Sequence, residues 1–128
     1  MFMQQDWLMR QIEMMIAAVA QLLLGKDGKG YKLYEELKSD ELAQELKDLL
    51  TEGRLGEAED LLFLRLDEMD DAADQSILAA AIDFYRQANQ LSDQELENQG
   101  FTRSELLEGL NEVIERYGLV LPGFFDPL

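Results

Sequence analysis

The sequence contains no cysteine and no histidine among its 128 residues. Lack of cysteine removes disulfides, thiolate metal ligands and cysteine nucleophiles together, and fits a reducing cytoplasm. Lack of histidine removes the usual general base near neutral pH, the Ser-His-Asp arrangement, the HExxH zinc helix and the Glu-x-x-His motif of di-iron bundles. Catalysis would fall to carboxylates, lysine, tyrosine or hydroxyls. Basic residues are scarce as well, eleven against twenty-seven acidic ones, for a formal charge of -16. A surface of that sign repels phosphate backbones and anionic headgroups, so neither nucleic acid nor a membrane surface is expected as a direct partner. The longest apolar run, Met14 to Leu24, is interrupted by Gln21 and falls short of the roughly 18 to 20 residues that span a bilayer. Asp6, Arg10 and Glu13 precede it instead of a basic preface, and no small-residue cleavage pattern follows, which predicts a buried helix in a cytoplasmic protein.

What is present is an apolar fraction of 47% with regular periodicity, enough for one core in a chain of this length. The pattern predicts an all-α fold: helical hairpins, in a tetratricopeptide-like or bundle arrangement, packed on an N-terminal hydrophobic helix. A single domain over 1–128 would comprise that helix (1–24), a Gly-rich connector (25–30), the hairpins (31–118) and an apolar tail (119–128). In the first helix Leu8, Ile12, Met15, Ile16, Val19, Leu22 and Leu23 recur at helical spacing, with Trp7, Met14, Ala17 and Ala18 widening the stripe. Gly25-Lys26-Asp27-Gly28-Lys29-Gly30 breaks it. Tyr31 follows Gly30 where a phosphate-binding loop continues with Lys and then Ser or Thr, so the segment reads as a connector.

A short helical stretch is expected over Tyr31 to Leu37. Beyond it, Leu42, Ala43, Leu46, Leu49 and Leu50 mark a helix ending at Gly53, and Ala58, Leu61, Leu62 and Leu66 mark the next, starting near Leu55. The tight connection between them predicts an antiparallel hairpin. A long helix from about Asp74 to Asn89 has apolar residues on two adjacent faces, which makes it central. Ser92-x-x-Glu95 and Thr102-x-x-Glu105 are capping boxes, flanked by Leu91 with Leu96 and Phe101 with Leu106 as hydrophobic staples, and each fixes a helix start. The last helix carries Leu106, Leu107, Leu110, Val113, Ile114 and Tyr117 and stops at Gly118.

The stretch from Gly53 to Leu62, with Gly56 and Ala58 at its turn, resembles the mid-repeat turn of a tetratricopeptide unit, with Leu42, Leu46 and Leu49 filling the first helix. Leu46 stands where that family prefers a small residue, Asp70 stands where its closing proline would lie, and no copy follows at the period of about 34 residues. The resemblance implies a repeat-like hairpin. The whole chain resembles a family of small uncharacterised proteins of Gram-positive bacteria, through Gln4 to Glu13, the Gly53 to Leu62 turn, and Phe84-Tyr85 followed by Leu91-Ser92-Asp93. That resemblance implies a helical cytosolic protein and carries no activity or site residues with it.

Two constellations bear on chemistry. Glu57-x-x-Asp60 and Glu68-x-x-Asp71 each put two carboxylates on one helical face, and two such pairs on facing helices would hold a hard cation, as in all-α nucleotide pyrophosphohydrolases. A chain this acidic produces such pairs by chance, Glu112-x-x-Glu115 among them, so a solvated acidic surface is the preferred reading and no metal or cofactor is expected. The second is an apolar surface. Trp7, Leu8, Ile12, Met15 and Val19 on the first helix, with Phe124 and Phe125 in the tail, exceed what one small domain readily covers. The expected role is a non-catalytic protein-binding or assembly module whose partner is another protein or a second copy of the chain, with the metal-dependent hydrolase as the alternative. Trp7, Tyr31, Tyr34, Phe84 and Tyr85 are assigned to core packing in preference to a ligand groove.

Overall fold

The computed structural model describes residues 2–24, 41–69 and 75–119. The connector 25–30, the stretch from Tyr31 to Leu37, the acidic residues 70–74 and the tail from 120 onward, with Phe124 and Phe125, lie outside the described residues. Six helices and no strand occur among the described residues: α1 (Phe2–Leu24), α2 (Glu41–Thr51), α3 (Leu55–Glu68), α4 (Gln75–Asn89), α5 (Asp93–Asn98) and α6 (Arg103–Arg116). None of them is long and apolar enough to cross a membrane.

The helix ends follow from local chemistry. At the end of α2, Gly53 has φ +77°, a left-handed conformation that a Cβ would strain. The Arg54 N–H reaches the Leu49 carbonyl at 2.9 Å and the Gly53 N–H the Leu50 carbonyl at 3.1 Å, so two otherwise unpaired carbonyls of α2 are satisfied as α3 begins. Joined by so short a turn, α2 and α3 pack against each other. Both capping boxes form: the Ser92 hydroxyl accepts from the Glu95 N–H while Glu95 accepts from the Ser92 N–H, and Thr102 and Glu105 repeat the exchange.

Helix α4 is the centre of the molecule. Its propensity rests on three consecutive alanines, and every residue from Leu78 to Tyr85 is buried. A helix buried around its whole circumference needs neighbours on all sides. It packs against α1 and α6 on one side and α2 and α3 on the other, while α1 also packs on α6 and α2 on α3. The fold is thus two three-helix packings that share α4. Leu8, Ile12, Met15, Ile16 and Val19 of α1 enter the first, with Leu106, Leu110, Val113 and Ile114 of α6; Leu42, Leu46 and Leu50 of α2 enter the second, with Leu55, Ala58, Leu62 and Leu66 of α3.

Polar side chains stitch the two packings together. The Gln99 side-chain oxygen accepts from the Leu55 N–H at 2.9 Å, capping α3 from the end of α5. The Arg116 guanidinium pairs with Asp67 and lies over the Phe63 ring, 5.4 Å from its centroid, so the end of α6 is clamped to the end of α3. The Asp67 partner raises the Arg116 guanidinium above its ordinary value.

Candidate functional site

The structure divides the apolar stripe of α1 into two faces. Leu8, Ile12, Met15 and Val19 are buried against the chain's own helices. Trp7, Met14 and Leu22 stand outside, at 58%, 55% and 54% exposure. Of the interface residues expected from the sequence, only Trp7 is therefore placed at the surface among those described. The physical reason is that periodicity measures how wide an apolar stripe is, and tertiary packing decides which part of it is covered. Trp7 and Met14 are seven residues apart and nearly in line, and Leu22, eight residues on, is turned about 80° from Met14, so the three fall within one side of the helix as a broad ridge. Gln11 and Ala18, both half-buried, fill the intervening positions. In a chain of net charge -16, the charges on α1 are confined to Asp6, Arg10 and Glu13, and the stretch from Met14 to Leu22 is free of charge. A fourth exposed apolar side chain, Leu64, lies on α3.

The carboxylate pairs of the alternative reading are not brought together among the described residues. Glu57, Asp60 and Glu68 all lie on α3 and not on facing helices, and Asp71 is outside the described residues. Glu57 and Glu68 are three turns apart on α3, about 16 Å of rise, too far to share an ion. Glu57 is paired with Arg54, whose hydrogen bond holds its carboxyl below the usual range. Among the described residues no three acidic side chains converge on a point that would hold a metal ion. An open groove of about 550 Å³ between the α2–α3 turn and the start of α5 is lined by Leu50, Thr51, Gln87, Gln90, Glu95 and Gln99. Its one carboxylate is held below the ordinary range by the Ser92 N–H and hydroxyl of the helix cap. The groove offers hydrogen-bonding amides and no pair of titrating groups.

Two polar constellations lie where the sequence gives little warning. Tyr85, fully buried on α4, donates its hydroxyl to Glu59 Oε2 of α3 at 2.7 Å. Gly109 of α6 closes over this pair: a Cβ there would lie well inside contact distance of both Glu59 Oε2 and the Tyr85 hydroxyl, and 3.1 Å from Tyr85 Cζ. Burial raises the Glu59 carboxyl above the usual range, opposed by the Tyr85 hydrogen bond and reinforced by Asp60, Glu105 and Glu112. Burial likewise pushes the Tyr85 phenol far up, so it remains a donor at any ordinary pH. The other constellation centres on Arg103, 3% exposed. Its Nη1 donates to the Asn89 carbonyl at 2.7 Å and Asn89 Oδ1 at 3.3 Å, and its Nη2 to the Leu91 carbonyl at 2.9 Å and Asp93 at 2.7 Å. Asn89 in turn donates to the Met9 carbonyl of α1 at 3.0 Å. The Tyr85–Glu59 pair lies between helices, whereas Arg103 and Asp93 line an open pocket of about 270 Å³ together with Leu96, Glu97, Phe101 and Thr102.

The Glu59 environment has a pH signature. A carboxyl raised in the folded state contributes stability that is fully present below the ordinary glutamate value of about 4.3 and is lost as pH rises through the raised folded value. Glu59→Gln keeps an oxygen to accept from Tyr85 and removes the charge facing Asp60, Glu105 and Glu112. Thermal unfolding across pH 4 to 8, as an ~4-unit range around that window, should find the variant more stable than the parent near neutrality, with the difference closing on acidification. A constant difference across the range would place the Glu59 carboxyl in an unperturbed environment.

The chain belongs to a family of unknown function (DUF6483), whose model matches residues 2–118. No curated protein and no solved structure matches it.

Proposed function

We propose that this member of the family is a non-catalytic protein-binding and assembly module, and that the outer ridge of α1 docks on a second copy of the chain. The observation that carries the reading is the alignment of Trp7, Met14 and Leu22, each more than half exposed, along one side of a helix whose other face is in the core. Tryptophan and methionine are enriched at interface centres, and charge is depleted there. The argument for a second copy is electrostatic. Like-charged chains repel over the roughly 8 to 10 Å of the screening length, and α1 carries only Asp6, Arg10 and Glu13 of the chain's charges, so it is the surface on which two copies meet with least repulsion. A soluble role away from nucleic acid and membranes fits the same charge.

Light scattering at micromolar concentration tests this. The parent chain should run as a dimer, and Trp7→Glu, at an exposed position that leaves the core intact, should run as a monomer with an unchanged melting curve. The loss should be roughly 2 kcal/mol or more, about 30-fold in the association constant. A strict monomer for the parent chain at ordinary salt would sink the reading, and a dimer indifferent to Trp7→Glu and Met14→Glu would place the interface elsewhere.

A further inference from the structure

Helices α3 and α6 each pack on α4, but they are not among the helix pairs that pack broadly on each other. The contacts that tie the two together are polar. At the start of α3, Gln99 accepts from the Leu55 N–H. At its far end, Asp67 pairs with Arg116 of α6. Midway, Glu59 of α3 takes the Tyr85 hydroxyl of α4 beneath Gly109 of α6. Parting this seam breaks a few polar contacts and leaves α3 on α2 and α6 on α1.

Glu59 is the weak point of the seam. The groups facing its carboxyl are Asp60 on α3, Glu105 and Glu112 on α6, and the Tyr85 phenol on α4. No cation is among them. Among the described residues the Tyr85 hydroxyl is its one hydrogen-bond donor, whereas an ionised carboxylate can accept about four. With a proton on Glu59 the seam holds a neutral acid. Without it, a fourth negative charge lies half-buried among three others, short of donors. Water can supply those donors, and α3 must draw away from α6 to admit it.

We propose that the α3–α6 seam is a pH-gated contact, closed while Glu59 is protonated and parting as Glu59 ionises, with α4 and α1 staying in place. In the parted state the carboxyl is hydrated and titrates as an ordinary glutamate; in the closed state burial holds it above that range. By linkage the parted fraction is smallest below the ordinary value of about 4.3 and grows as pH rises through the closed-state value. The gate does not depend on what docks on α1.

The absence of native cysteine lets spin labels be placed at will. Leu64→Cys on α3 and Glu108→Cys on α6, both at exposed positions, report across the seam; Leu64→Cys with Glu45→Cys on α2 reports within the hairpin. The labelled full-length chain is diluted with unlabelled chain, so that distances between copies do not enter. From about pH 5 to about pH 8, the α3 to α6 distance distribution should gain a longer component while the α3 to α2 distribution stays as it is. Adding Glu59→Gln should keep the short distance at both pH values, and Asp60→Asn, at an exposed position, should shrink the longer component. An α3 to α6 distance that does not change with pH would overturn the gate. So would a change that survives Glu59→Gln, which assigns it to another group, or equal broadening of both pairs, which is loss of the fold and not a parting of one seam.

Discussion

Gly109→Ala is expected to destabilise the protein by roughly 1 to 2 kcal/mol, against the sign that a glycine-to-alanine change in a helix ordinarily has. Within an exposed helix the substitution stabilises by about 1 kcal/mol, because glycine loses more backbone freedom on folding. Here the added methyl group meets two polar atoms at once. Glu59 Oε2 sits at the end of a flexible side chain and can move, but the Tyr85 hydroxyl is carried by a fully buried ring on the central helix and cannot swing aside. Either α6 backs away from α4 or the Tyr85–Glu59 hydrogen bond breaks, and overpacking of this kind costs about 1 to 3 kcal/mol. Tyr85→Phe supplies the control. Alone it deletes the hydroxyl and leaves Glu59 without its donor, so it too destabilises; combined with Gly109→Ala it relieves the worst contact, and the double variant should be more stable than the sum of the singles implies. Urea denaturation of the four proteins gives the coupling directly. Additive effects, or a Gly109→Ala variant more stable than the parent, would show that α6 has room to spare at this point.

That contact also shows what kind of information a single sequence yields. The caps at Ser92 and Thr102 were legible because each lies within four residues of chain, and the structure forms both. The central place of α4 was legible from apolar residues on adjacent faces, since a helix apolar on more than one side has to be enclosed. The Glu59, Tyr85 and Gly109 junction joins three helices across long intervals, and its one local sign was a glycine inside an otherwise regular helix, which usually has a packing reason. Arg103 stands in the first turn of a capped helix, and its burial follows from carbonyls at the end of α4, which have no sequence signature. The stripe on α1 is one broad face in the sequence because helical spacing does not distinguish covered from uncovered positions, and the packing of α4 and α6 on this helix, with Ile12, Met15 and Val19 buried, is what leaves Trp7 and Met14 outside. Phe63 and Leu64 show the same limit on α3: Phe63 lies under Arg116, and Leu64 remains exposed.

Replacing Arg103 with leucine should destabilise the protein by roughly 3 to 4 kcal/mol. The loss does not come mainly from the Asp93 ion pair, because Asp93 is 57% exposed and its charge returns to water when the partner is gone. It comes from the Asn89 and Leu91 carbonyls and Asn89 Oδ1, which take their donors from this one guanidinium. A buried acceptor left without a donor costs about 1 to 3 kcal/mol, and leucine offers none. Three variants separate these contributions. Asp93→Asn should cost well under 1 kcal/mol, as exposed pairs do. Arg103→Lys should fall between, since a single ammonium cannot reach the two carbonyls, Asn89 Oδ1 and Asp93 as a planar five-donor fork does. Hydrogen exchange should then locate the damage: with the Asn89 side chain freed, its bond to the Met9 carbonyl loosens, and protection should fall at the end of α4 and the adjoining turn of α1 before it falls in the α2–α3 hairpin. If Arg103→Leu unfolds within about 0.5 kcal/mol of the parent, the range of an ordinary surface substitution, the carbonyls at the end of α4 find donors elsewhere and Arg103 does not hold that junction together.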